Sequence, residues 1–295
     1  MQNLSKKLFI LIKNSLYSVI WFKNRNYCKE TVFVLHLFYV IIRANKFLGE
    51  IVMYKNYLFD LYGTLVDINT NEWKTYLWDK MAELYAFEGA SYKPMELKRA
   101  YFAQVEKEKD EVAKAHPDFT NIDIRIEKVF EDLLRNKGVE PPQNFGEYTA
   151  KAFRVISTKY IKLYDGVEDL LDSLRKAGKG VYLLTNAQRW FTAPEIKMLG
   201  LEDKFDGIVI SSDEYTCKPD KAFYNLILER YGLNANESIM IGNDCKTDIL
   251  GSYNAGLDSL YIHTSISPDV TIELKSKFSV MDGDFRKIKP LILKD

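Results

Sequence analysis

Cysteine and histidine are scarce, at three residues each, and that scarcity narrows the chemistry. Cys28, Cys217 and Cys245 are odd in number and widely spaced, with no C-x-x-C pair and no histidine-rich neighbourhood. The pattern argues against a zinc site and a disulfide framework, and reduced thiols in a cytoplasmic protein are expected. Net charge is also missing, because 41 Lys and Arg balance 41 Asp and Glu. Without a global basic field, no nucleic-acid partner is expected. Long apolar runs are absent too. Leu8 to Ile12 and Val32 to Ile42 are the greasy stretches, well short of the roughly 18 to 20 residues that span a bilayer. The first is cut by Lys13 and Asn14 and has no small-residue cleavage site after it, unlike a secretory signal.

What is present is a core. Hydrophobic residues make up 47% of 295 positions, enough for one or two domains with a sizeable interior. Residues 1–52 differ from the rest in setting Lys6, Lys7, Lys13, Lys23, Arg25 and Lys29 among short greasy runs. They are expected to lie outside the working domain, with Met53 as its natural start. Gly49-Glu50 supports this, since its codons resemble a bacterial ribosome-binding sequence just ahead of Met53. An amphipathic membrane-surface anchor is the competing reading of this stretch. No membrane association is expected for the chain from Met53 onward.

From Tyr57 the chain reads Tyr-Leu-Phe-Asp-Leu-Tyr-Gly-Thr-Leu, an apolar run that ends on Asp60 and turns at Gly63. This is the signature of a short buried strand delivering a carboxylate at its carboxyl end, with Thr64 offering a hydroxyl beside it. Residues 71 to about 153 change to helical spacing. Trp73, Leu77, Met81, Leu84 and Tyr85 form one series, and Ile122, Ile126, Val129, Phe130 and Leu133 a second, closed by Gly138 and Pro141-Pro142. The aromatics here, including Trp73, Trp78, Tyr85, Tyr92, Tyr101 and Phe102, are expected to pack a core and not to stack on bases. Glu106 to Glu111 alternates in sign and reads as a solvated helix face.

After Tyr164-Asp165-Gly166, helix and strand alternate. Predicted are a helix over 167–177, strands over 181–184, 207–211, 238–241 and 259–262, a helix from Pro219 to Tyr231, and further helices between the remaining strands. Such alternation argues for an α/β fold with a parallel sheet covered on both faces, the helical block being an insertion after the first strand.

In a parallel sheet all strand ends share one edge, so Asp60, Thr185-Asn186 and Gly242-Asn243-Asp244 with Asp248 should converge there. Asp244 and Asp248 would share a face of any helical turn starting between them. Lys218 is expected in a loop, with Pro219 at the first helical position. Three carboxylates would repel one another unless a hard divalent cation neutralised them, and an all-oxygen donor set suits magnesium. Thr185 and Lys218 could then serve the oxygens of an anionic substrate, leaving Asp60 free as a nucleophile.

On these residues the chain is similar to the haloacid dehalogenase superfamily. Its four motifs correspond to Asp60-Leu61-Tyr62-Gly63-Thr64, Leu184-Thr185-Asn186, Lys218-Pro219, and Gly242-Asn243-Asp244 with Asp248, covering the chain from about Tyr54 onward. The resemblance implies a Rossmann-like core over 53–70 and 156–295, with a helical cap over 71–155. It also implies a magnesium-dependent phosphatase passing through an aspartyl phosphate on Asp60. The main-chain carbonyl of Tyr62 would join Asp60 and Asp244 around the metal, and Asp248 would hold metal-bound water or ligate directly. Thr185, the backbone near Asn186, and Lys218 would hold the phosphoryl group of a small phosphorylated metabolite. Gly63 and Thr64 would begin the mobile segment that couples site to cap.

One position departs from the pattern. Phosphatases of the superfamily usually carry a second aspartate two residues after the nucleophile, as acid and base, and here that position is Tyr62. A phenol is a poor base at neutral pH, and tyrosine there is typical of the family's metal-independent 2-haloacid dehalogenases. Those enzymes lack the aspartate pair that Asp244 and Asp248 supply, and they place an arginine on the first cap helix, where this chain has none between Asp60 and Arg99. Phosphatase is therefore the leading reading, with dehalogenase or a weakly active phosphate-binding sensor as alternatives. Tyr62 further implies a preference for leaving groups that need little protonation. Monomer and homodimer both remain open.

Overall fold

A computed structural model describes residues 54–293 of the chain; the expectations for residues 1–52 lie outside the described residues. The central sheet has six parallel strands, β1 (Asn56–Phe59), β4 (Gly180–Thr185), β5 (Gly207–Ile210), β6 (Ser238–Gly242), β7 (Asp258–Ile262) and β8 (Phe278–Val280), in the order β5-β4-β1-β6-β7-β8. β1 lies inside the sheet, where both faces are covered, which is why its sequence is a continuous apolar run. Tyr57 and Phe59 enter one buried cluster with Leu170, Leu171 and Leu174 of α5 (Val167–Lys176). Leu58 enters the opposite one with Phe223, Tyr224 and Ile227 of α7 (Lys221–Arg230).

The helical block holds four helices, α1 (Thr75–Phe87), α2 (Pro94–Ala115), α3 (Ile126–Arg135) and α4 (Phe145–Ser157). Their shared core is aromatic. Tyr101 stacks on Phe130 and Phe153, with ring centroids 5.6 and 5.5 Å apart, and Trp78 meets Phe153 edge-on. Trp73 is the exception among the expected core aromatics: it precedes α1, is 70% exposed, and stacks on Phe102 at the surface.

Several elements differ from expectation. An antiparallel pair, β2 (Val66–Thr70) with β3 (Thr158–Leu163), forms the two connections between sheet and helices. Neither this pair nor β8 stands out in the sequence, because about half of the β2 and β3 residues are polar and β8 has three residues. Pro219 does not begin α7. The cap is Asp220, whose carboxylate accepts from the Ala222 amide at 2.9 Å, so the helix starts two residues later. The helix expected after β6 is a π-helical turn, Cys245–Leu250, followed by a short α-turn, Gly251–Asn254.

Candidate active site

The carboxyl ends of β1, β4 and β6 meet at a cavity of about 250 Å3 lined by Asp60, Tyr62, Asn186, Lys218, Asn243, Asp244, Thr247 and Asp248, with Ile266 and Pro268 at one side. Asp60 follows β1 directly, and its backbone N–H still donates to Ile241 in the neighbouring strand, which fixes the carboxylate at the sheet edge. The chain then turns through Gly63 at φ +82°, and Thr64 brings its hydroxyl to 3.1 Å from both Asp60 Oδ2 and Asn243 Oδ1. A methyl on Gly63 would sit 2.3 Å from the Asn243 amide nitrogen. Gly63→Ala is accordingly expected to cost at least the roughly 1–2 kcal/mol of a left-handed non-glycine residue, lowering Tm by about 2–8 °C. Thermal denaturation beside the unsubstituted protein checks this, and an unchanged Tm would refute it.

Lys218 is the electrostatic centre. Its ammonium donates at 2.7 Å to Asp60 Oδ1 and at 2.7 Å to Asp248 Oδ1, with all three side chains at most 10% exposed. Burial alone would drive the lysine toward neutrality, but the two carboxylates outweigh it and raise its pKa. Asp248 moves the other way from an ordinary carboxylate. Burial pushes it up to about 6, against the pull of Lys218 and with the repulsion of Asp60. Its second oxygen accepts from the backbone N–H groups of Asn243 and Asp244, at 3.0 and 2.9 Å. Gly242 permits this approach, since a Cβ there would fall 2.3 Å from the Asp248 carboxyl carbon.

The other expected residues take more particular parts. The Asn186 side chain is committed to the Lys218 backbone, donating to its carbonyl and accepting from its N–H, each at 2.8 Å. It therefore holds the lysine loop in register with the end of β4. Thr185 is fully buried and its hydroxyl has no partner among the described residues, so it is a polar group in need of an acceptor or donor. Asp244 turns one oxygen to the amides of Lys246 and Thr247, at 2.7 and 3.0 Å, and has no ion-pair partner among the described residues. The Tyr62 phenol does not bond to Asp60. It donates to Glu195 of α6 (Arg189–Met198) and lies 3.0 Å from the Thr192 hydroxyl, and its burial with Glu195's charge raises its pKa well above that of free tyrosine.

Asn243 was legible only as part of its motif, and three further contributors carried no local signal. Thr264 donates at 2.5 Å to the Gly63 carbonyl and so braces the nucleophile turn. Asp220 accepts from the amides of Thr120 and Asn121, at 2.6 and 3.2 Å, fastening the α2–α3 loop two residues from Lys218. Asp123 of the same loop accepts from Gln188 at 3.0 Å and from Ser211 at 2.5 Å. The helical block thus touches the loops that carry Asn186 and Lys218.

Three carboxylates face one ammonium here, an excess of negative charge that a divalent cation would offset. The donor set fits magnesium in kind: carboxylate oxygens of Asp60, Asp244 and Asp248, and a Tyr62 carbonyl to which no described backbone N–H donates. Among the described residues no three His, Cys, Asp or Glu side chains are already gathered as a metal cluster. Lys218 stands between Asp60 and Asp248, and magnesium keeps several waters and needs few protein ligands.

A family model described as hydrolase, haloacid dehalogenase-like hydrolase, matches residues 54–256. The chain belongs to that family. Among curated relatives, this hydrolase is 26% identical over 241 residues to the pyrimidine 5′-nucleotidase PynA of Streptococcus pneumoniae, covering 78% of this chain and 95% of that protein. It is 30% identical over 178 residues to the phosphoglycolate phosphatase of Pectobacterium atrosepticum, covering 58% and 72% respectively. Its fold is similar to the crystal structure of a 2-haloacid dehalogenase from Pseudomonas syringae, with a TM-score of 0.55 and 18% identity over 82% of this chain and 98% of that one. Among the described residues, no helix of this hydrolase is long and apolar enough to cross a membrane.

Proposed function

We propose that this hydrolase is a magnesium-dependent phosphatase that cleaves small phosphorylated metabolites through an aspartyl phosphate on Asp60. The observation that carries the reading is the buried Lys218 ammonium, shared at 2.7 Å between Asp60 and Asp248 beside an Asp244 without a cationic partner among the described residues. A lysine so held orients Asp60, and its charge is available to the oxygens of a phosphoryl group as negative charge builds there. The Thr185 hydroxyl, buried and without a described partner, suits one of those oxygens. Asn186 acts on the substrate indirectly, by fixing the lysine backbone. Asp60, Asp244, the Tyr62 carbonyl and Asp248, directly or through water, would hold the metal. Magnesium, when bound, would offset the carboxylate charge and neutralise the phosphoryl group.

Asp60 attacks phosphorus, and water later releases phosphate from the aspartyl phosphate. Pyrimidine nucleoside 5′-monophosphates, whose leaving group is an alkoxide, stand in the substrate panel as alkyl esters beside the aryl phosphates, because the relative named for them is matched over 95% of its length. Dehalogenation is the second reading, and Tyr62 favours it. Phosphate release from 4-nitrophenyl phosphate by the full chain, with magnesium and with chelator, is to be compared with chloride release from 2-chloropropionate. Magnesium-dependent phosphate release is the expected result. Chloride release that survives chelation would overturn the proposal, and phosphate binding without any turnover would assign the site to a sensor.

A further inference from the structure

We propose that Glu195 and Thr192 are positioning residues that set leaving-group specificity, by using up the hydrogen-bonding capacity of Tyr62. This rests on the phosphatase reading above and adds residues outside the four motifs. Tyr62 lines the cavity with Asp60, two residues beyond the nucleophile. A phenol has one proton to give, and here it is given to the Glu195 carboxylate. The Thr192 hydroxyl, 3.0 Å from the phenol oxygen, must then be the donor in that contact. The phenol thus donates once and accepts once, with both partners buried on α6.

Glu195 is kept in this role by Arg154 at the end of α4. The guanidinium donates to its two oxygens at 2.6 and 3.3 Å and lies 5.2 Å from the centres of both the Tyr62 and Phe191 rings. The carboxylate is thereby fixed with an oxygen turned to Tyr62, so the phenol proton has an acceptor away from the cavity.

The consequence for the reaction is specific. As the Asp60 oxygen bonds to phosphorus, the bond to the leaving oxygen breaks and its electron pair departs with that oxygen. No proton accompanies it from Tyr62, so it leaves as an anion. In the second half, water adds to phosphorus, the Asp60 carboxylate departs, and the proton of that water passes to phosphate and solvent. Aryloxides and carboxylates tolerate this route, while alkoxides do not. The substrate class is therefore an aryl, acyl or similarly activated phosphate.

The test is the dependence of kcat/KM on leaving-group pKa over a series running from 4-nitrophenyl phosphate through phenyl phosphate to glycerol phosphate, with magnesium. The unsubstituted protein is expected to favour the aryl over the alkyl ester by on the order of 10^2–10^4, the usual contribution of general acid catalysis. In Glu195→Gln, the amide can donate to the phenol oxygen and turn its proton toward the cavity, and the preference is expected to shrink at least tenfold. A change in folding or cap packing alone would lower all esters together and leave the slope intact. Phosphate release with a flat dependence in the unsubstituted protein would overturn this proposal while sparing the phosphatase reading, and needs no variant. An unchanged slope in a folded Glu195→Gln would also overturn it. Absence of phosphate release from every ester would overturn the phosphatase reading itself.

Discussion

Asp60→Asn is expected to reduce turnover by on the order of 10^4–10^6, the cost of removing a nucleophile from a site whose other parts act around it. The substitution is nearly isosteric, and the amide oxygen can still accept from the Lys218 ammonium that now lies 2.7 Å from Asp60 Oδ1. Fold and stability should survive, because one charge leaves a cluster already rich in carboxylates. The checks are phosphate release under saturating magnesium and a thermal melt of the same preparation. Retained turnover in a folded variant would mean that Asp60 does not attack, and the covalent route would fail with it.

Lys218→Met is expected to act on stability as well as rate. It strands Asp60 and Asp248 in a site where they are 7% and 1% exposed, and losing one partner of a buried ionic group costs about 3–5 kcal/mol. The pH dependence has a definite sign. Asp248 already titrates near 6, above its ordinary range, because of burial. A carboxylate with a raised folded pKa contributes stability below its unfolded pKa and loses that contribution as pH rises through the folded value. Without the pull of the lysine, the folded pKa of Asp248 rises further. The deficit of Lys218→Met should therefore be large at pH 8 and much smaller at pH 5, where Asp248 can protonate. Magnesium should recover part of the deficit at pH 8 by binding only the folded state. Denaturant unfolding at the two pH values, with and without magnesium, measures all of this, and a deficit equal at both pH values would refute it.

The sheet and its edge were largely legible from the sequence because buried parallel strands are apolar runs and their ends are marked by polar residues. Tyr57 to Asp60 and Val181 to Asn186 are clear instances. β2 and β3 were not legible, since they lie at the connection to the helical block and carry residues such as Asp67, Asn69, Lys159 and Lys162. At the site, sequence located Asp60, Lys218 and Asp248 but could not say that one ammonium would bridge two carboxylates. It put Asn186 at the end of β4 but gave no sign that its side chain pairs with the Lys218 backbone, because an amide beside a phosphate motif looks the same whether it faces substrate or backbone. Glu195 and Arg154 were invisible for a different reason. Each reads as an ordinary charged residue on a helix, and their pairing joins elements 41 positions apart.

The register of β1 gives the site one further property. Phe59, next to Asp60, pairs on one side with Leu183 and on the other with Ile241. No contiguous segment contains the nucleophile and the groups that flank it, and each strand pairing that frames Asp60 joins positions on the order of a hundred or more residues apart. Such non-local closure is slow and comes late in folding. Catalytic competence is thus an all-or-nothing property of the assembled topology: a newly made or refolding chain carries Asp60 in its first quarter but has no functioning centre until β6 has docked. Regain of activity would report the completion of this sheet, not the earlier collapse of the helices.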